Sequence, residues 1–142
     1  MRVLAFAGSL LFLCACGGRI DSRQDLYGSY ELRRNGELAR LEIRPDSTYT
    51  ETVDRKKGNP ETTWDRWTWD GHCISLNNFL IPTGSVPESL LQNANTEHDT
   101  ARKTPQGVYQ FDWCLPTETT FLGSPILIVN PDRDIKFVKT RH

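Results

Sequence analysis

What this chain lacks narrows it before any motif is read. A membrane-spanning helix needs roughly 20 apolar residues to cross about 30 Å of hydrocarbon, and the longest greasy stretch, Val3 to Leu13, is eleven residues. No GxSxG elbow, P-loop, HExxH or dinucleotide fingerprint occurs, so none of the chemistries those spacings announce is signalled. There is no CxxC or CxxH pair to suggest zinc. Internal repeats and low-complexity tracts are missing too. Helical periodicity is confined to one place, where Ser85-Val86-Pro87-Glu88 makes a capping box that leads into SLLQNAN. Nor is there an excess of charge: 17 basic residues face 18 acidic ones, which gives no electrostatic reason to expect nucleic acid or an anionic surface as partner.

The N-terminus has a charge at Arg2, the short apolar run Val3 to Leu13, and small residues after it, which is the plan of a secretory leader. The tail of that leader, Leu13-Cys14-Ala15-Cys16-Gly17, resembles the lipobox of bacterial lipoproteins. The resemblance implies that Cys16 becomes the first mature residue, thioether-linked to diacylglycerol and carrying fatty acyl chains such as palmitate. Cys14 fits less well as acceptor, because Leu13 would stand where a small residue is expected. The alternative is an ordinary secretory leader. Several acyl chains make attachment stable where one does not. With no Asp after Cys16, the segment resembles lipoproteins sent on to the outer membrane. The expected organisation is a signal peptide over 1–15, a lipidated tether over 16–26, and one domain over 27–142. This places the domain in the periplasm or elsewhere in the cell envelope.

Arg2 is the one basic residue of the leader, so 16 remain against 18 acidic residues in a chain long enough for a single domain. The basic run Arg55-Lys56-Lys57 runs straight into Gly58-Asn59-Pro60 and reads as a solvated loop tip. Two cysteines remain as thiols after processing, Cys73 and Cys114, in an oxidising compartment. In HCISL the residues Ile74 and Leu76 alternate with Cys73. In VYQFDWC the residues Tyr109, Phe111 and Trp113 alternate with Cys114. Both thiols therefore take the face opposite the apolar stripe of their own strand. On neighbouring strands they would form a disulfide closing a loop of about 42 residues. Free thiols or half of a metal site are the alternatives.

The remainder reads as β-structure. LYGSYELRR and LARLEIR flank Asn35-Gly36, a strong hairpin signal. Pro45-Asp46-Ser47 turns the chain into TYTETVD, with Tyr49 and Val53 inward. TTWDRWTWD ends at Asp70-Gly71; Trp67 and Trp69 share a face, and Trp64 lies outside unless a bulge brings it in. HCISL, FLI, and strands near 107–114, 126–130 and 134–139 bring the total to about eight or nine. The segment from Asn93 to Gln106 is polar and broken by Pro105, an excursion from the framework. The class is all-β, an antiparallel barrel or a sandwich, with one short helix or loop insertion. GSYELRRNGELARLEIRPDSTYTE and WTWDGHCISL resemble the opening hairpins of small lipocalin-like bacterial lipoproteins. That resemblance implies a barrel, and ligand binding by analogy of fold.

No catalytic, cofactor or metal residues are assigned. Glu97-His98-Asp99 lacks the spacing of a metal site, and Asp132 and Asp134 belong to an ordinary Pro-Asp turn. His72 has the parity of Ile74 and Leu76 and is expected near a barrel mouth. With Trp67, Trp69, Tyr109, Phe111 and Trp113 it forms the candidate ligand-binding set, and the alternative is that these aromatics fill a solid core. Two functions follow. One is a membrane-anchored, non-catalytic module for a small apolar ligand or an envelope protein partner. The other is an envelope hydrolase assembled around His72.

Overall fold

The computed structural model describes residues 18–55, 58–81, 102–103 and 109–140. The leader with Cys16 and the expected helix after Ser85 lie outside the described residues. The chain is a meander of strands: β1 (Gly28–Arg34), β2 (Glu37–Ile43), β3 (Thr48–Asp54), β4 (Glu61–Trp69), β5 (Cys73–Ile81), β6 (Arg102–Lys103), β7 (Tyr109–Thr119), β8 (Pro125–Asn130) and β9 (Ile135–Lys139). Among the described residues every strand pairing is antiparallel, and successive strands pair except β5 with β6. Pairing of β5 with β7, and of β1 with β9 at Tyr30↔Lys139 and Glu31↔Val138, closes an eight-strand barrel. The two residues of β6 add to β7 at Tyr109 and Gln110. A sandwich is thereby excluded, and closure leaves few unpaired edges.

Local chemistry explains the turns. At the β1–β2 hairpin Asn35 and Gly36 have φ of 50° and 80°, both in the left-handed region that a two-residue type I′ loop demands. At the β2–β3 turn Asp46 Oδ1 accepts from the Thr48 amide at 2.9 Å and its hydroxyl at 2.6 Å. Asp70 does the same at the β4–β5 turn for the amides of His72 (2.8 Å) and Cys73 (2.9 Å). These bonds hold both carboxyls below the usual carboxylate range, through Thr48 for Asp46 and through Cys73 and His72 for Asp70.

Alternation then fills the interior. Tyr30, Leu41, Tyr49, Trp67, Ile74, Leu76, Phe79, Leu115, Leu127 and Phe137 are buried in one core. Each such side chain contributes roughly 1.5–3 kcal/mol relative to exposure. Phe79 of β5 and Phe137 of β9 meet edge-on at 6.1 Å, so aromatic rings span the barrel at that level.

One end is stoppered by the chain's own beginning. A 3-10 turn at Arg23–Leu26 carries a capping box between Ser22 and Asp25. It buries Leu26, and Ile20 before it is buried as well. The Tyr30 hydroxyl donates to the Leu26 carbonyl at 2.8 Å. Segment 16–26, expected as a tether, is thus part of the domain from Ile20 onward. Gly28 adjoins this stopper with φ of 131°, a backbone angle that favours glycine; the Lys139 Cε that a Cβ would meet at 2.9 Å is the end of a flexible side chain and can give way.

Cys73 and Cys114 are joined as a disulfide with Cα atoms 5.6 Å apart. Cys73 registers with Pro116 and Cys114 with Ser75, so the bridge runs diagonally across the β5–β7 pair on the outer face.

Candidate functional site

The sheet parts in one place. The β4–β5 ladder covers only Trp67–Trp69 against Leu76–Ile74, and β4 residues 61–66 pair with β3 alone. The cause is local to β5, where the register shifts between Leu76 and Phe79, and Asn78 adopts φ of 55°. Beyond that bulge β5 continues along β7 and leaves β4.

Two inward side chains of β3 reach across the parting. The Tyr49 hydroxyl donates to the Asn77 carbonyl, and Glu51 Oε2 accepts from the Leu80 amide at 2.8 Å. Asn78 Nδ2 donates to Asp65 Oδ2 on β4, tying the bulge to the strand it has left. Side chains therefore take over where backbone pairing stops, as buried polar groups require.

Glu51 is fully buried. Burial drives its carboxyl well above the ordinary glutamate range, opposed only by the bond from Leu80. Its second oxygen, Oε1, has no hydrogen-bond partner among the described residues. A buried polar atom left unmet costs about 1–3 kcal/mol. In its neutral form this oxygen can donate or accept once, to a group that enters the barrel. Thr63, which registers directly with Glu51, and Asp65 share the inward parity of β4 and are half-buried beside it. Toward the far end, Arg55 lies 3.9 Å from Glu37 and 3.8 Å from Glu61 in a half-buried cluster of the same parity. The upper inner wall of β2, β3 and β4 is thus polar, while the lower interior is aromatic.

The expected ligand-binding set divides. Trp67 is buried at the stoppered end, where its Nε1 donates to the Arg44 carbonyl at 3.0 Å and Arg23 lies 4.3 Å over its ring. Trp69 and Trp113 are half-buried and packed against the core. Tyr109 and Phe111 lie on β7, but their side chains are outside the described residues. Trp64 is on the outside, 74 % exposed.

His72 is a correction. It is exposed in the β4–β5 turn, because strand alternation stops at Cys73 and Gly71, with φ of 95°, swings the chain round. The acid and hydroxyl nearest it serve the turn's backbone: Asp70 accepts from the His72 and Cys73 amides, and Thr117 Oγ1 donates to the His72 carbonyl at 3.0 Å. Glu51, which the sequence reading passed over, is a fully buried carboxyl among the described residues. Its signal was its parity, midway between Tyr49 and Val53.

No group of three or more metal-ligating side chains occurs among the described residues. The chain matches no protein-family model, no curated protein and no solved structure.

Proposed function

We propose that this protein is an envelope lipoprotein, held through acylated Cys16 on the outer membrane, whose barrel is a non-catalytic module for a small, mostly apolar ligand bearing one hydrogen-bonding group. The observation that carries the reading is the unmet Oε1 of Glu51 inside a closed barrel, beside the parting of β4 and β5. An apolar body suits the aromatic interior, and a single N–H or O–H suits a single unmet oxygen. The hydrolase alternative gains nothing from the geometry, since His72 faces solvent and its neighbours are engaged by the turn.

The binding half is tested with N-phenyl-1-naphthylamine, an apolar probe with one N–H. Its emission should rise on the folded domain, and Glu51→Leu should weaken binding about tenfold, the equivalent of one hydrogen bond. Glu51→Gln keeps its single oxygen on the Leu80 amide and turns its NH2 toward the interior, so it should weaken binding of the N–H probe as Glu51→Leu does while holding the fold, which makes it the folding control. No emission change with folded wild type would overturn the reading. The anchoring half is tested by Cys16→Ala, which should abolish acyl labelling and release the domain from membranes; unchanged labelling and fractionation would refute it.

A further inference from the structure

The β7–β8 turn presents two large apolar side chains where turns ordinarily carry polar ones. Phe121 is 77 % exposed and Leu122 73 %. They occupy the middle of a tightly held turn: the Gly123 amide donates to the Thr120 carbonyl at 2.8 Å, the Thr120 amide to the Ser124 carbonyl at 2.8 Å, and the Ser124 amide to the Thr120 hydroxyl at 3.1 Å. Gly123, with φ of 78°, permits the bend. The pair is therefore displayed on a braced support.

The position of this turn matters more than its composition. Gly18 is pinned to the end of β7, its carbonyl accepting from the Thr119 amide at 3.1 Å and from the Thr119 hydroxyl at 2.7 Å. Cys16 is two residues earlier, and two residues span at most roughly 7 Å. The chain thus leaves the barrel toward Cys16 from a point two residues before Phe121, at the stoppered end.

We propose that Phe121 and Leu122 insert into the lipid bilayer beside the acyl chains of Cys16, forming a second foothold that sets the barrel with its stoppered end on the membrane and its Asn35-Gly36 end pointing away. The inference rests on the lipoprotein reading above. Its occupant is the bilayer because the braced apolar tip and the origin of the acylated segment share one edge of the molecule. Charge does not supply the attraction. Arg19, Arg23, Arg44 and Lys139 at this end are matched by Asp21, Asp25, Asp46 and Asp70, so insertion should proceed on zwitterionic lipid.

The test uses the acylated full-length protein in phosphatidylcholine vesicles. Leu122→Cys carries a nitroxide label, and Asn35→Cys carries the same label at the opposite end; Cys73 and Cys114 are bridged and do not compete. Acylation is read from the intact mass. The label at 122 should lose collisions with a water-soluble nickel complex and gain them with oxygen, while the label at 35 shows the reverse. An acylated, membrane-bound protein whose label at 122 is as wet as that at 35 would overturn the foothold and leave the lipid anchor standing. A soluble chain without acyl mass would overturn both. Replacing Phe121 by Ser should shift the 122 label toward water without altering acylation, and no shift would count against the foothold.

Discussion

Glu51 and Leu80 are joined across the parting of β4 and β5 by a 2.8 Å hydrogen bond between a fully buried carboxyl and a backbone amide of a strand that has left its β4 neighbour. The bond stands in for a rung of the sheet, at the cost of keeping a carboxyl out of water. That exchange makes stability depend on pH in an unusual direction. Most native carboxyls are held low, so that stability fades on acidification. Glu51 is held high.

Between the unfolded value, near 4.5, and the higher native value, the folded protein carries one more proton than the unfolded chain. Glu51's contribution is complete below the unfolded value and is lost as pH rises through the native one, at up to about 1.4 kcal/mol per pH unit. Urea midpoints measured from pH 5 to pH 8 should therefore fall in the wild type. Glu51→Gln keeps an acceptor for the Leu80 amide and has nothing to ionise, so its midpoints should be flatter and should overtake wild type at the alkaline end. Parallel profiles would mean that Glu51 titrates normally. Asp46 and Asp70, held low, act in the opposite window and lose their contributions on acidification below the ordinary carboxylate range.

Tyr30 fixes the stopper. Its hydroxyl is buried and donates to Leu26, and burial, with Asp25's charge behind it, raises the phenol far beyond its usual range. Tyr30→Phe keeps the ring and strands the Leu26 carbonyl. The expected loss is about 1–3 kcal/mol in urea unfolding, with faster amide exchange confined to residues 20–27. Uniform exchange across the barrel would contradict a local role.

The features legible in the sequence were those set by neighbours within a strand. Alternation placed Tyr49, Val53 and Trp67 inside, Trp64 outside, and Cys73 and Cys114 on one common outer face, because side-chain direction has a period of two. Asn35-Gly36 signalled its hairpin because few residues accept positive φ twice in succession. His72 shows where this reasoning fails: alternation was carried one residue past the start of β5, into a turn that does not obey it. Ile20 and Leu26 were missed because a four-residue 3-10 turn is too short to display a period. The role of Glu51 was hidden for another reason. Its parity was plain, but its partner lies 29 residues along the chain and is exposed only because β5 bulges at Asn77-Asn78.

Trp67 gathers several contacts at the stoppered end: Arg23 over its ring, Tyr27 edge-on at 6.0 Å, and the Arg44 carbonyl at its indole nitrogen. Trp67→Phe preserves an aromatic face for Arg23 and Tyr27 but removes the indole N–H and part of the volume. It should cost about 1–3 kcal/mol, from the carbonyl left unmet and imperfect filling. Arg23→Gln removes the cation over a ring, worth about 0.5–1 kcal/mol at an exposed site, and an exposed hydrogen bond to the Ser47 hydroxyl that water can replace. Chemical unfolding of the two variants should rank them in that order. The reverse order would locate the strength of this end in the arginine.

The disulfide ties β5 to β7 at the same end of the barrel as the β4–β5 contact that survives the bulge. The closed loop spans a sequence separation of 41 and contains the whole excursion between β5 and β7. In the chain-entropy model such a crosslink contributes on the order of 4 kcal/mol by restricting the unfolded chain, although calorimetry attributes part of this to enthalpy. Both accounts predict that Cys73→Ser/Cys114→Ser unfolds at markedly lower urea than the oxidised wild type. The slope should change as well: a chain freed from its crosslink exposes more surface on unfolding, so the variant's m-value should rise. Non-reducing peptide mapping should recover Cys73 bound to Cys114. Reductant should shift wild type onto the variant's curve, and a curve unmoved by reductant would show that the bridge carries no stability.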